Sequence, residues 1–264
     1  MRLLPVPIII SGVIAVASAT TPDAAETSQR SHHPEIHPDS AAIATTGSIL
    51  RLTENDYIEV ARELGIEPET MKAVVDIEAG PSHQGFHAPG KPLINFDLTM
   101  FRRFAGRNKV NLSQYRKSHA VIFSRANARR YGSYQGGQHA RLEAARKIDN
   151  RTAIEGTFWG MFQIGGFNWK KCGAESIEDF VEKMSRSERD QLDLFANFIT
   201  STGLVKHLRA KNWRAFAAGY NGPSYASRAY HTRLASAYAK HKRKAASTKK
   251  IVSDQSSELP TPIE

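Results

Sequence analysis

The sequence predicts a mainly α protein, helices packed on helices, with a loop or small hairpin region after the second helix. Three observations carry that expectation. Apolar residues recur at helical spacing in successive segments between about 52 and 239, capping and stop residues punctuate those segments, and little of the chain reads as sheet. The 264 residues, 41% hydrophobic and 23% charged with one cysteine, exclude a disordered chain and a disulfide-stapled one.

Residues 1–19 read as a cleaved signal peptide: Arg2, an uncharged run from Leu3 to Ala19, and a small-x-small end at Ala17-Ser18-Ala19. The run is broken by Pro5, Pro7, Ser11 and Gly12 and falls short of the about 20 apolar residues of a spanning helix, so no stable membrane anchor is expected. Residues 20–50 read as a flexible linker rich in Ser, Thr, Ala and Pro. Its His32, His33, Glu35 and His37 lack the supporting groups a metal site needs, and neither metal nor cofactor is expected.

The main domain spans residues 51–242. Thr53 with Asp56 opens a first helix that Gly65 stops, and a second runs from near Pro68 to Gly80-Pro81. The loop or hairpin region covers Ser82 to Asn95. Further helical patterns cover about 98–105, 139–149, 177–184 behind a Ser176 cap, 188–200, 213–220 and 224–241. Residues 243–264, basic and then polar, are expected to be a disordered tail.

Charge is uneven. Residues 20–50 carry a net −3 (Asp23, Glu26, Glu35 and Asp39 against Arg30), whereas residues 51–239 carry +9 of the chain's +10. A basic body suits an anionic wall or a nucleic acid, and export argues against nucleic acid.

One residue sits where its chemistry does not fit. At about 100° per residue Glu78 lies about 40° from Val74, inside the arc of Met71, Val75 and Ile77, whereas Asp76 points about 200° away. Burial and the negative end of the helix dipole both raise the pKa of such a carboxyl. A carboxyl protonated near neutral pH is what protonating a glycosidic oxygen requires; an anchoring ion pair is the alternative role.

Three ordered blocks follow one another: Val75-Asp76-Ile77-Glu78-Ala79-Gly80, Trp159-Gly160-Met161-Phe162-Gln163-Ile164-Gly165-Gly166-Phe167-Asn168, and Ala218-Gly219-Tyr220-Asn221-Gly222-Pro223. They resemble the lysozyme-like superfamily of lytic transglycosylases and goose-type lysozymes. The similarity is closer to the N-acetylmuramidase domains of phage endolysins and bacterial cell-wall hydrolases, with Phe101-Arg102-Arg103, Asp179-Phe180 and Gln191-Leu192 also matching. The resemblance implies a lysozyme-like helical fold and hydrolysis of the β-1,4 bond between N-acetylmuramic acid and N-acetylglucosamine, with Glu78 as catalytic acid.

A second catalytic carboxylate is expected at Asp97, where the branch carries Glu, although Asp97 also suits the N-cap of the helix that follows. Asp149 is a further candidate at a helix end. Gln163 and Asn221 offer paired donors and acceptors to sugar acetamido and hydroxyl groups, and Trp159 and Tyr220 offer stacking faces. Packing is the competing role, favoured for Trp159 and Phe162. Ala79 and Phe158 both stand where the pattern has Ser, and Pro81 where a second Gly is common. Cys172 reads as a buried small hydrophobe.

The expected protein is thus an exported, periplasmic or secreted, monomeric wall hydrolase acting on peptidoglycan glycan strands, drawn electrostatically to the anionic wall. A lytic transglycosylase using the same Glu alone and a catalytically weakened wall-binding protein are the alternatives.

Overall fold

A computed structural model describes residues 48–80, 84–123, 134–222 and 225–257, with side chains through residue 248. The signal-peptide pattern, the His-bearing linker segment, Pro81 and Pro223 lie outside these residues. Among the described residues no helix is long and apolar enough to cross a membrane.

The fold is mainly helical, as the periodicity predicts. Helix α1 (Glu54–Leu64) starts on the Thr53–Asp56 capping box and ends at Gly65 in the left-handed conformation. Helix α2 (Pro68–Glu78) begins with proline at its first turn and buries Met71, Ala73, Val74 and Val75. The expected hairpin region is β1 (Phe86–Ala88) paired antiparallel with β2 (Lys91–Pro92). Strand β3 (Ile94–Phe96) then forms one edge of a three-stranded sheet with β4 (Thr157–Trp159) and β5 (Ile164–Gly165), in the order β3-β4-β5.

Helices α3 (Leu98–Arg107), α4 (Ala120–Phe123), α5 (Gln135–Arg146) and α6 (Asn150–Glu155) fill the long connection between β3 and β4. Helix α5 starts four residues before the pattern predicts, in spite of Gly136 and Gly137. Tertiary bonding outweighs local propensity here: Ile94 N–H donates to Gln135 at 2.9 Å and Phe96 N–H to Gln138 at 3.0 Å, docking the new turn on β3.

After β5 a 3-10 segment, Gly166–Cys172, leads to α7 (Ile177–Arg186) behind the expected Ser176 cap. Helix α8 (Glu188–Ser201) runs through the core with Leu192, Leu194, Phe195, Phe198 and Ile199 buried. Helices α9 (Val205–Arg209), α10 (Trp213–Asn221) and α11 (Tyr230–Ser257) complete the chain. Helix α11 packs extensively on α2. His241 lies 2.9 Å from Asp76, and the Tyr238 hydroxyl donates to Glu67 at 2.6 Å.

Helix α11 continues as far as Ser257, into the residues expected to form a tail. Residues 243–257 hold Arg, Lys and Ala and no Gly or Pro, so nothing in them stops a helix already nucleated on α2.

Candidate active site

Helix α2 ends at Glu78 because Gly80, at φ 67°, turns the chain into left-handed backbone. The Glu78 side chain points into a cleft of about 410 Å³. One carboxyl oxygen, Oε1, is sealed from solvent with no hydrogen-bond partner among the described residues. Burial pushes the carboxyl well above the usual carboxylate range, and the positive charge of Arg233 on α11 opposes that rise without cancelling it. The neighbouring Ala79 brings no hydroxyl beside it.

The opposite wall is the β4–β5 hairpin, whose turn is held in an unusual conformation. Gly160 has φ 68°, and a Cβ there would come within 2.8 Å of the Gln191 amide oxygen. Gln163 has φ 48°, rare for a residue with a side chain, and its own Nε2 donates to the Gly160 carbonyl at 2.8 Å. From below, Met161 N–H donates to Gln191 Oε1 at 2.9 Å. Gln191 also donates to the carbonyls of Met184 and Gly85, so one buried amide joins the hairpin, α7 and the loop that follows the Glu78 helix.

Helix α10 supplies the third wall. Tyr220 stacks on Phe216 with centroids 5.7 Å apart and meets Phe195 and Phe198 edge-on. Burial, reinforced by the Glu78 charge, pushes its phenol well above the ordinary value, which keeps it a neutral donor. Next to it Asn221 is only 7% exposed, and neither its Oδ1 nor its Nδ2 has a partner among the described residues. An amide left so costs about 1–3 kcal/mol per unmet group, which a donor–acceptor ligand would relieve.

Glu78, Gln163, Tyr220 and Asn221, widely separated in sequence, therefore line one cleft. Two expected site residues do not join them. Trp159 is 2% exposed, donates Nε1–H to the Ile154 carbonyl at 3.2 Å and lies edge-on to Phe180, so its ring is core rather than sugar platform. Asp97 caps α3, its Oδ1 accepting the Thr99 and Met100 N–H at 2.7 and 3.0 Å, and it does not line the cleft. Asp149 caps α6 in the same way through Thr152 N–H. Among the described residues lining the cleft, Glu78 is the one carboxylate.

Phe158, Phe167, Asn168 and Phe198 also line the cleft, and sequence reading gave none of them a binding role. Phe158 carried a signal in its departure from the family pattern. Cys172 is buried, and burial pushes its thiol up to about 12, which leaves no nucleophile there.

A buried carboxyl of raised pKa facing hydrogen-bonding amides across a cleft has the chemistry to protonate a leaving group. The family model for N-acetylmuramidase matches residues 67–242, from the start of α2 into α11. The chain belongs to the N-acetylmuramidase family. A solved structure described as the crystal structure of Burkholderia AP3 phage endolysin is similar to it, with 31% identity, a TM-score of 0.61, and 73% of this chain and 72% of that chain covered. No curated protein matches the chain. This muramidase is accordingly a lysozyme-like peptidoglycan hydrolase, an enzyme of the cell wall.

Proposed function

We propose that the enzyme cleaves the β-1,4 bond between N-acetylmuramic acid and N-acetylglucosamine with Glu78 as general acid. The observation that carries this reading is the place of the Glu78 carboxyl, buried, with its pKa raised by that burial, at the edge of a cleft that no other described carboxylate lines. Glu78 gives its proton to the bridging oxygen as the bond from that oxygen to muramic C1 breaks. The C1 centre, left electron-poor, is met by a water that surrenders a proton to the now ionised Glu78, restoring the acid and leaving a reducing end. Asn221, with both ends of its amide unpartnered among the described residues, suits a secondary amide such as the 2-acetamido group, and Gln163 offers a second polar contact.

Asp97 has no part in this chemistry in our reading, since its capping oxygen is engaged with two backbone amides. The absence of a second carboxylate from the described cleft lining also favours one alternative, a transglycosylase in which the muramic 6-hydroxyl replaces water at C1 and gives its proton to Glu78. The mass of the products separates the two. Hydrolysis yields muramic ends one water heavier than the anhydro ends that internal transfer leaves, and we expect the heavier species.

Export, a monomeric state, the lack of nucleic-acid binding and attraction of the basic body to an anionic wall complete the proposal. The signal-peptide pattern of residues 1–19 and the +9 carried by residues 51–239 support it.

A further inference from the structure

The ring of Phe158, on β4, helps line the cleft. It meets Phe167 edge-on at 6.3 Å; Phe167 stacks on Phe104 at 5.3 Å; and the Arg107 guanidinium lies over the Phe104 ring at 5.3 Å. A row of rings thus leads from the cleft wall to a cation at the last turn of α3. Phe104 and Phe158 are buried, and half-buried Phe167 presents the accessible surface. Arg107 is exposed and forms no ion pair among the described residues. The ring beneath it limits its freedom, so less entropy is lost when its fork meets a carboxylate.

We infer that this row is a subsite for the peptide branch of the glycan, with Arg107 receiving a branch carboxylate. The inference rests on the glycan-cleavage reading above. A muramic residue in the cleft carries its peptide on the lactyl group, and such a branch bears side-chain and terminal carboxylates. An extended peptide advances about 3.3–3.6 Å per residue, so a carboxylate a few residues along reaches past two ring spacings. The apolar ring surface accommodates the intervening small side chains, and a guanidinium fits a carboxylate in a two-bonded fork. Phe158 completes the row at the cleft end.

The test compares kcat/KM on purified wall glycan strands carrying intact peptide branches with kcat/KM on the same strands stripped of them. Wild type should prefer the branched strands. Arg107→Ala should lower the branched-to-bare ratio about 3–5-fold, the scale of an exposed ion pair, and Arg107→Lys should lower it less. Arg102→Ala removes another exposed cation of α3 and should leave the ratio where it was. An unmoved ratio in Arg107→Ala, or an equal fall in Arg102→Ala, overturns the inference while leaving glycan cleavage intact. Failure of wild type to cut either strand overturns the glycan-cleavage reading, and the subsite with it.

Discussion

The Tyr220 hydroxyl donates to the Phe162 carbonyl at 2.9 Å, tying the end of α10 to the turn of the β4–β5 hairpin. Tyr220 is therefore a positioning residue whose ring packs while its hydroxyl fixes the strand carrying Gln163. Tyr220→Phe keeps the stack on Phe216 and removes only the bond. The expected outcome is a loss of about 0.5–1.5 kcal/mol in urea unfolding, with a fall in kcat as the Gln163 turn loosens. Unchanged stability and unchanged turnover would remove Tyr220 from this role.

Glu78 makes folding depend on pH in a known direction. Its folded pKa lies above the ordinary glutamate value of 4.5, so the fold binds the proton more tightly than the unfolded chain does. The stability this confers is fully present below about pH 4.5 and is lost as pH rises through the raised value. Gln carries no proton to lose. Glu78→Gln should match wild type in Tm at about pH 4 and exceed it at about pH 8, because only wild type then holds the cost of a buried charge or of keeping the proton. A Tm difference independent of pH would contradict the burial account.

Asp97 distinguishes a cap from a catalyst. Asp97→Asn retains an oxygen able to accept the Thr99 and Met100 amides and should leave both stability and activity near wild type. Asp97→Ala should cost about 1 kcal/mol of stability. A fall in kcat of about a hundredfold or more in Asp97→Asn, with folding intact, would restore the carboxylate to the chemistry.

Gln191 bonds three backbone groups while being wholly buried. Gln191→Leu fits a similar volume and removes the partner of the Met161 N–H and of the Met184 carbonyl, while the Gly85 carbonyl keeps its bond from the Leu93 N–H at 2.8 Å. The expected cost is about 2–3 kcal/mol by chemical denaturation, larger than for an exposed glutamine. A change under about 0.5 kcal/mol would mean the hairpin holds its own shape.

The helical framework was legible because its signals are local: the Thr53 and Ser176 caps, the Gly65 stop and the apolar stripe of α2 all act within a few residues. Glu78 was legible for the same reason, as a carboxylate on the wrong face of that stripe. The short strands β3, β4 and β5 were not, since two or three residues carry no period and their pairing joins Asn95 to Phe158 across 63 positions. Helix α5 began early because Gln135 and Gln138 find partners on β3, which local propensity does not register. Trp159 and Tyr220 sit in matching motifs, and the packing role favoured for Trp159 is the one its buried ring takes, whereas Tyr220 lines the cleft.

The most direct test of the central claim is the rate at which Glu78→Gln releases soluble fragments from purified peptidoglycan, measured beside wild type at neutral pH. An uncharged amide preserves the fold and has no proton of the required acidity. The account predicts a loss of about 10²–10⁴-fold with the variant folded and at least as stable as wild type. A folded Glu78→Gln that cuts within about tenfold of the wild-type rate would contradict it, and the acid would have to be sought elsewhere.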